Sequence, residues 1–235
     1  MVNEHSFPQG KKVLVIMAHP DDAELSSAGT LIKWIAKGCQ ARYIICTTGD
    51  KGTKDASITP FQLAETRENE QREAAGVLGV NDIVFLRHAD GGVENTAGFR
   101  DEIALLIRKF QPDIIITHDP WRPYQIHPDH RAVGFATVDA VVVARDHLFL
   151  PAFLEVGLQP HAPLELYFTF PSDPDYVVDI TDVMEKKLKA LEKHESQLKR
   201  IPDWPEKIKM MSAKLAEGKP FRYAEAFKRL ELIYQ

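Results

Sequence analysis

Two short stretches of this chain set histidines beside carboxylates. Ala18-His19-Pro20-Asp21-Asp22 directly follows an apolar run, and Ile126-His127-Pro128-Asp129-His130 begins nine residues beyond another, which ends at Thr117. Pro20 disfavours helical geometry at His19, so the histidine stays extended while the chain turns after it. Asp22 then approaches the same point as the His19 imidazole, and His130 completes a set of two nitrogens and one carboxylate oxygen. Three protein donors with an open fourth position suit a catalytic zinc ion, whereas a closed set of four suits a structural one. Asp21, adjacent to a ligand yet directed elsewhere, is available as a base for the metal's water, whose pKa zinc lowers to about 7. Two histidines and a carboxylate also make a non-haem iron(II) triad, so another divalent metal, and an oxygenase, stand as alternatives. His127, three residues before a ligand histidine, is placed close to the metal.

The same residues have an ordinary structural explanation. Asp21 with Glu24 spells a capping box opening a helix at Ala23, and Asp129 can cap the helix that follows it. Both clusters follow strands, however, and that coincidence favours chemistry over capping.

The elements that must position these residues alternate in type. Lys12 to Met17 (KVLVIM) is a nearly continuous apolar run, as for a strand covered on both faces. From Ala23 to Lys37 apolar residues recur at helical spacing, and Gly38 supplies a stop. Arg42–Thr47 is a second strand, Phe61–Leu78 a helix closed by Gly79, and Ile83–Leu86 a third strand. A helix over Arg100–Phe110 leads into a fourth strand, Asp113–Thr117. Such βαβ units predict an α/β, Rossmann-like, mainly parallel sheet flanked by helices, with ligands beyond the carboxyl ends of the strands. Leu166–Phe170 and Tyr176–Ile180 read as two further strands. From Thr181 the chain is mostly helical and lysine-rich, broken at Pro202 and Pro205, so a helical C-terminal region is expected. No repeat, low-complexity tract or linker divides residues 1–235, which therefore read as one domain.

Composition narrows the function classes. The 235 residues are 44% hydrophobic and 27% charged, an ordinary globular balance that excludes a disordered or fibrous chain. Lys+Arg 29 against Asp+Glu 34 gives a net charge of -5, with no basic surface for nucleic acid. The run Val13–Ala18 is too short for a membrane span, and the start, MVNEHSFPQGKK, is polar rather than a signal peptide. Two cysteines, Cys39 and Cys46, build neither a disulfide framework nor a four-thiolate zinc site, so they read as packed thiols of a cytoplasmic protein. The apolar VDAVVVA run and the HLFLPAFL stretch after it can pack internally or against a second copy in a homo-oligomer. No G-x-G-x-x-G follows the first strand, which speaks against a nucleotide-binding module.

AHPDDAELSSAGTL and HPDHRAVG resemble the two signature motifs of the LmbE/PIG-L-like metal-dependent N-acetylglucosaminyl deacetylases. The likeness extends through TTGDKGT, ETRENEQREAAGVLGV and LRHADGG, with echoes in KALEKHESQ and YAEAF, and so covers most of the chain. The resemblance implies a zinc ion held by His19, Asp22 and His130, with Asp21 as general base and later as the acid that protonates the departing amine. It places His127 at the substrate carbonyl as an oxyanion stabiliser and Asp129 behind it, orienting its ring. Arg67 and Asp90, with Asp50 in TTGDKGT, are implied as substrate contacts; the alternative for Arg67 is an exposed helix ion pair with Glu70 or Glu73. Some members carry a tyrosine two residues before the first histidine of the second motif; here that position is Gln125, with Tyr124 one residue further back. Trp121, in the same loop, either stacks on a sugar or fills an apolar gap. The implied reaction removes the acetyl group of an N-acetylated amino sugar of N-acetylglucosamine type. A deacylase of a non-sugar amide is the alternative.

Overall fold

Val13, Val15 and Met17 of the first strand face one apolar layer, while Leu14 and Ile16 face another. The two-residue period of a strand buried on both sides thus divides the core in two. The computed structural model describes residues 8–233 and orders them as β1 (Lys12–Met17), α1 (Asp22–Ala36), β2 (Gln40–Thr47), α2 (Pro60–Leu78), β3 (Asp82–His88), α3 (Ala97–Phe110), β4 (Ile114–His118), α4 (Pro128–Arg145), α5 (Ala152–Glu155), β5 (Glu165–Thr169), β6 (Tyr176–Asp179), a short 3-10 turn at Thr181–Val183, α6 (Met184–Leu191), α7 (Glu195–Leu198), α8 (Trp204–Leu215) and β7 (Ala224–Glu231). The polar N-terminal start begins outside these residues.

The strands form one sheet in the order β3-β2-β1-β4-β5-β7-β6. The first five in that order run parallel, and β7 is antiparallel to both of its neighbours. The fold is the α/β, mainly parallel, helix-flanked architecture expected, and the boundaries of the expected elements shift by only a few residues. The helical expectation from Thr181 holds as far as Leu215 and then fails: Ala224–Glu231 is a strand. The Ala, Glu, Lys and Arg of AEAFKRLE suit a helix intrinsically, but pairing on both edges and burial of Phe227 decide for a strand.

The chain moves outward from β1 to β2 and β3, then returns to the other side of β1 as β4. At that reversal the connections after β1 and β4 diverge, leaving a crevice beyond their carboxyl ends. Residues 19–22 and 118–130 lie there. Two features fix their approach. Pro128 opens α4 at its first turn. Gly134, one turn after His130, allows α4 to press against the end of β4: a Cβ there would lie 2.8 Å from the His118 carbonyl oxygen.

Cys39 and Cys46 are free and buried, as expected of packed thiols. Most of VDAVVVA is buried within the layer that α4 shares with α3. No helix among the described residues is long and apolar enough to cross a membrane.

Candidate metal centre and active site

Leaving β1, the chain makes a turn in which the Asp22 N–H donates to the His19 carbonyl (3.3 Å). Pro20 occupies its second position and Asp21 its third, where the backbone takes φ 105°. The turn folds Asp22 back beneath His19: its Oδ2 accepts the His19 backbone N–H at 2.8 Å and lies 3.2 Å from His19 Nδ1. From α4, His130 Nε2 comes within 3.1 Å of the same Nδ1 and 3.4 Å of Asp22 Oδ1. Three donors from two distant stretches therefore converge, as the sequence predicted. Ligands about 2.1 Å from a tetrahedral zinc ion stand about 3.4 Å apart, so the spacing fits such an ion.

Charge points the same way. His19 Nε2 lies 3.2 Å from both Asp90 Oδ1 and Asp129 Oδ2. Burial opposes the charged imidazole, yet hydrogen bonds to Asp129, Asp22 and Asp90 push its pKa up to about 12. Burial would raise Asp22, but His118 and His130 hold it well below the ordinary carboxylate range. Asp90 falls to about 2, mainly because its bond to His19 outweighs its burial. The cluster is built to surround positive charge, as a divalent cation requires. Overlapping groups of histidine and carboxylate atoms close enough to share an ion occur here, including His19, His127 and His130.

The capping explanations do not hold. Asp21 sits at the N-cap of α1 without a side-chain cap bond, and Glu24 turns inward instead, where both its oxygens accept from Gln71 Nε2 (3.1 and 3.0 Å). Asp129 accepts the backbone N–H groups of Gly91 (2.7 Å) and Val93 (3.3 Å). Its expected task also changes. It bonds to His19, whereas His127 Nδ1 is buried with no hydrogen-bond partner among the described residues, so the Asp129 carboxylate is spent on orienting His19 rather than His127. The His127 ring packs edge-on to His19 (4.5 Å between centroids) and stacks on His130 (4.8 Å). Its pKa is lowered by burial and by the two neighbouring imidazoles.

Asp21 is pushed up to about 6, first by burial and also by Asp22, while Arg67 pulls the other way. The Arg67 guanidinium lies 3.3 Å from Asp21 Oδ2 and also bonds the carbonyls of Pro20 and Gly49. At 4% exposure it is no surface helix pair with Glu70 or Glu73. Asp50 Oδ1 accepts the Asp90 N–H at 3.1 Å, which ties both residues into one loop cluster beside His19. Tyr124 is 98% exposed at φ 60°, while Gln125 Oε1 accepts the His127 N–H at 3.4 Å. Trp121 packs edge-on against Phe135 and Phe168 and leaves just over half its surface exposed.

Four residues of the site escaped the sequence reading. His118 ends β4, where its Nε2 accepts the Ala18 N–H (3.1 Å) and lies 3.3 Å from Asp22 Oδ2. The strand-end rule pointed to its position, one residue past Thr117. Glu24, Gln71 and His194 form a buried group behind Asp21; only the KHESQ echo hinted at His194.

An α/β sheet with a histidine–aspartate cation centre at its topological switch point defines a metal-binding Rossmann-like protein. A family model described as "PIG-L: GlcNAc-PI de-N-acetylase" matches residues 14–141. Over 238 aligned residues the chain is 37% identical to the diacetylchitobiose deacetylase of Thermococcus kodakarensis, covering 99% of this chain and 88% of that protein. Among solved structures, the N,N'-diacetylchitobiose deacetylase from Pyrococcus horikoshii superimposes with a TM-score of 0.89 at 35% identity, over 94% of this chain and 84% of that one. The 4-carboxy-2-hydroxymuconate hydratase of Pseudomonas putida aligns at 0.79 but with 19% identity, over 96% of this chain and 98% of that one, a likeness of fold alone. The chain belongs to the PIG-L family.

Proposed function

We propose that this protein is a zinc-dependent hydrolase that removes the acetyl group from an N-acetylated amino sugar of N-acetylglucosamine type. The convergence of His19 Nδ1, Asp22 and His130 Nε2 within 3.1–3.4 Å, beside a turn that presents Asp21, carries this reading. Its likeness to diacetylchitobiose deacetylases over nearly its whole length selects the substrate class. His19, Asp22 and His130 would hold the ion. The chemistry a bound divalent ion supplies there is Lewis acidity, which polarises a carbonyl and lowers the pKa of water to about 7.

Asp21 takes the proton of the attacking water as the oxygen–carbon bond forms at the acetamide carbonyl. His127 donates a hydrogen bond to the carbonyl oxygen as negative charge grows on it. When the carbon–nitrogen bond breaks, Asp21 returns the proton to nitrogen, and acetate and a primary amine leave. Asp129 and Asp90 hold the His19 ring, and Arg67 fixes the Asp21 carboxylate at the pocket wall. Asp50 and Asp90 are the positions we assign to sugar hydroxyls. Residues 1–235 act as one catalytic domain, and the free thiols agree with a cytoplasmic setting.

Asp21→Asn should keep one zinc per chain, measured by elemental analysis, and lose nearly all release of acetate from N,N'-diacetylchitobiose. His130→Ala should lose the metal itself. Turnover at the parent rate in Asp21→Asn would remove the base from this scheme.

A further inference from the structure

Asp21 adopts φ 105°, ψ -27°, a conformation that a non-glycine residue holds only when its surroundings impose it. Its side chain gives the turn no cap bond, so the constraint comes from elsewhere. The Asp21 backbone N–H donates to Gln71 Oε1 of α2 at 3.0 Å. The other end of the same amide, Nε2, donates to both oxygens of Glu24, and Glu24 Oε2 lies 3.1 Å from His194 Nε2. Gln71, Glu24 and His194 are fully buried. His194 precedes α7 and is anchored by its neighbours: the Ser196 N–H and hydroxyl each donate to Glu70 of α2 at 2.7 Å.

A carboxylate fully removed from water is costly unless hydrogen bonds satisfy it, and an apolar side chain would serve packing more cheaply. The burial of Glu24 therefore calls for a task beyond packing. Oriented by Glu24, the Gln71 amide can present only its oxygen to Asp21, because both Nε2 contacts are donors to the carboxylate. The chain of contacts thus fixes which atom meets the strained turn.

We propose that His194, Glu24 and Gln71 form a buried positioning chain that locks the backbone of Asp21 in its left-handed turn and so aims the catalytic base, making the α6–α7 junction part of the active site. This inference rests on the reading of Asp21 as the base. None of the three residues touches substrate; they act through Asp21.

The test uses the zinc-loaded full-length protein with N,N'-diacetylchitobiose as probe. Gln71→Met keeps the side-chain length and removes both hydrogen bonds. It should lower kcat about 100-fold, the scale of a small misplacement of a catalytic group, with KM and zinc content within about twofold of the parent. His194→Leu should lower kcat about tenfold, and His194→Gln, which restores an N–H donor to Glu24, should recover most of that loss. A parent-like kcat in Gln71→Met or in His194→Leu overturns the proposal, as does zinc loss in place of a kcat effect. Should Gln71→Met fail to fold, the His194 pair decides, because rescue by Gln is not expected of a residue that only fills space. Asp21→Asn separates the two levels: if it is inactive while Gln71→Met is unimpaired, the positioning chain alone falls. If Asp21→Asn turns over normally, the reading beneath it falls too.

Discussion

The ring of His118 lies almost parallel to that of His130, with centroids 4.1 Å and planes 10° apart, and its Nε2 lies 3.3 Å from Asp22. Two of the three converging donors thus rest on one imidazole. Groups that orient metal ligands typically contribute 10–100-fold to affinity. His118→Ala should accordingly weaken zinc binding about 10–100-fold, measured by competition with a chromophoric chelator, and His118→Phe, which keeps the stacked ring, should weaken it less. Equal affinity in parent and His118→Ala would mean that Asp22 and His130 hold their places unaided. His19, Asp22 and His130 were legible because they sit in polar clusters directly beyond apolar strands, where unpaired histidines and carboxylates stand out. His118, Glu24 and Gln71 were not, because each has an ordinary local explanation: a strand end, a favourable acid in a first helical turn, a polar residue in a helix rich in Glu, Gln and Arg. Their burial distinguishes them, and burial depends on elements far away in sequence. Asp129 shows the complementary error, since its histidine was correctly sensed but the partner is His19 from the other motif.

At the scale of elements, β1 to β4 were readable because each is a short apolar run bounded by polar or glycine-rich text. β7 was not, because its residues suit a helix and only its neighbours make it a strand. Part of that pairing is electrostatic. Arg229 of β7 stands opposite Tyr167 of β5, and its Nε donates to Glu165 Oε2 at 2.7 Å, while the Tyr167 hydroxyl donates to the same oxygen at 2.7 Å. Burial would raise the Glu165 pKa, but the bonds from Arg229 and Tyr167 outweigh it and hold the carboxyl below its ordinary value of 4.5. A depressed carboxyl stabilises the fold above its unfolded-state pKa, and that contribution disappears as pH falls through the folded-state value. Glu165→Gln should therefore be less stable than the parent at neutral pH by about 1 kcal/mol, allowing for partial exposure. Urea titrations should show the gap narrowing once the pH drops below about 4.5. A gap unchanged in acid would assign the loss to packing.

Across the whole molecule, the last strand is tied to the first helix through charge. Glu225 of β7 accepts the backbone N–H groups of Gly29 (2.9 Å) and Thr30 (2.7 Å) in α1 and the Thr30 hydroxyl at 2.6 Å. Lys187 of α6 donates to Glu225 at 2.6 Å and to the Leu25 carbonyl at 2.8 Å. The α1 groups at Leu25 and Gly29, one helical turn apart, thus bond to side chains of α6 and β7. Because α1 begins with Asp22, the same linkage steadies the element that carries a proposed metal ligand. Both charged side chains are at most 3% exposed, so removing one leaves the other unpaired in the interior. Lys187→Met should destabilise the fold by about 3–5 kcal/mol, read as a lower urea midpoint. The double variant Lys187→Met with Glu225→Gln should recover part of that loss, since a neutral amide can still accept from α1 without a buried charge to compensate. If the two changes simply add, the pair is not coupled, and β7 is held to α1 by its backbone-directed bonds alone.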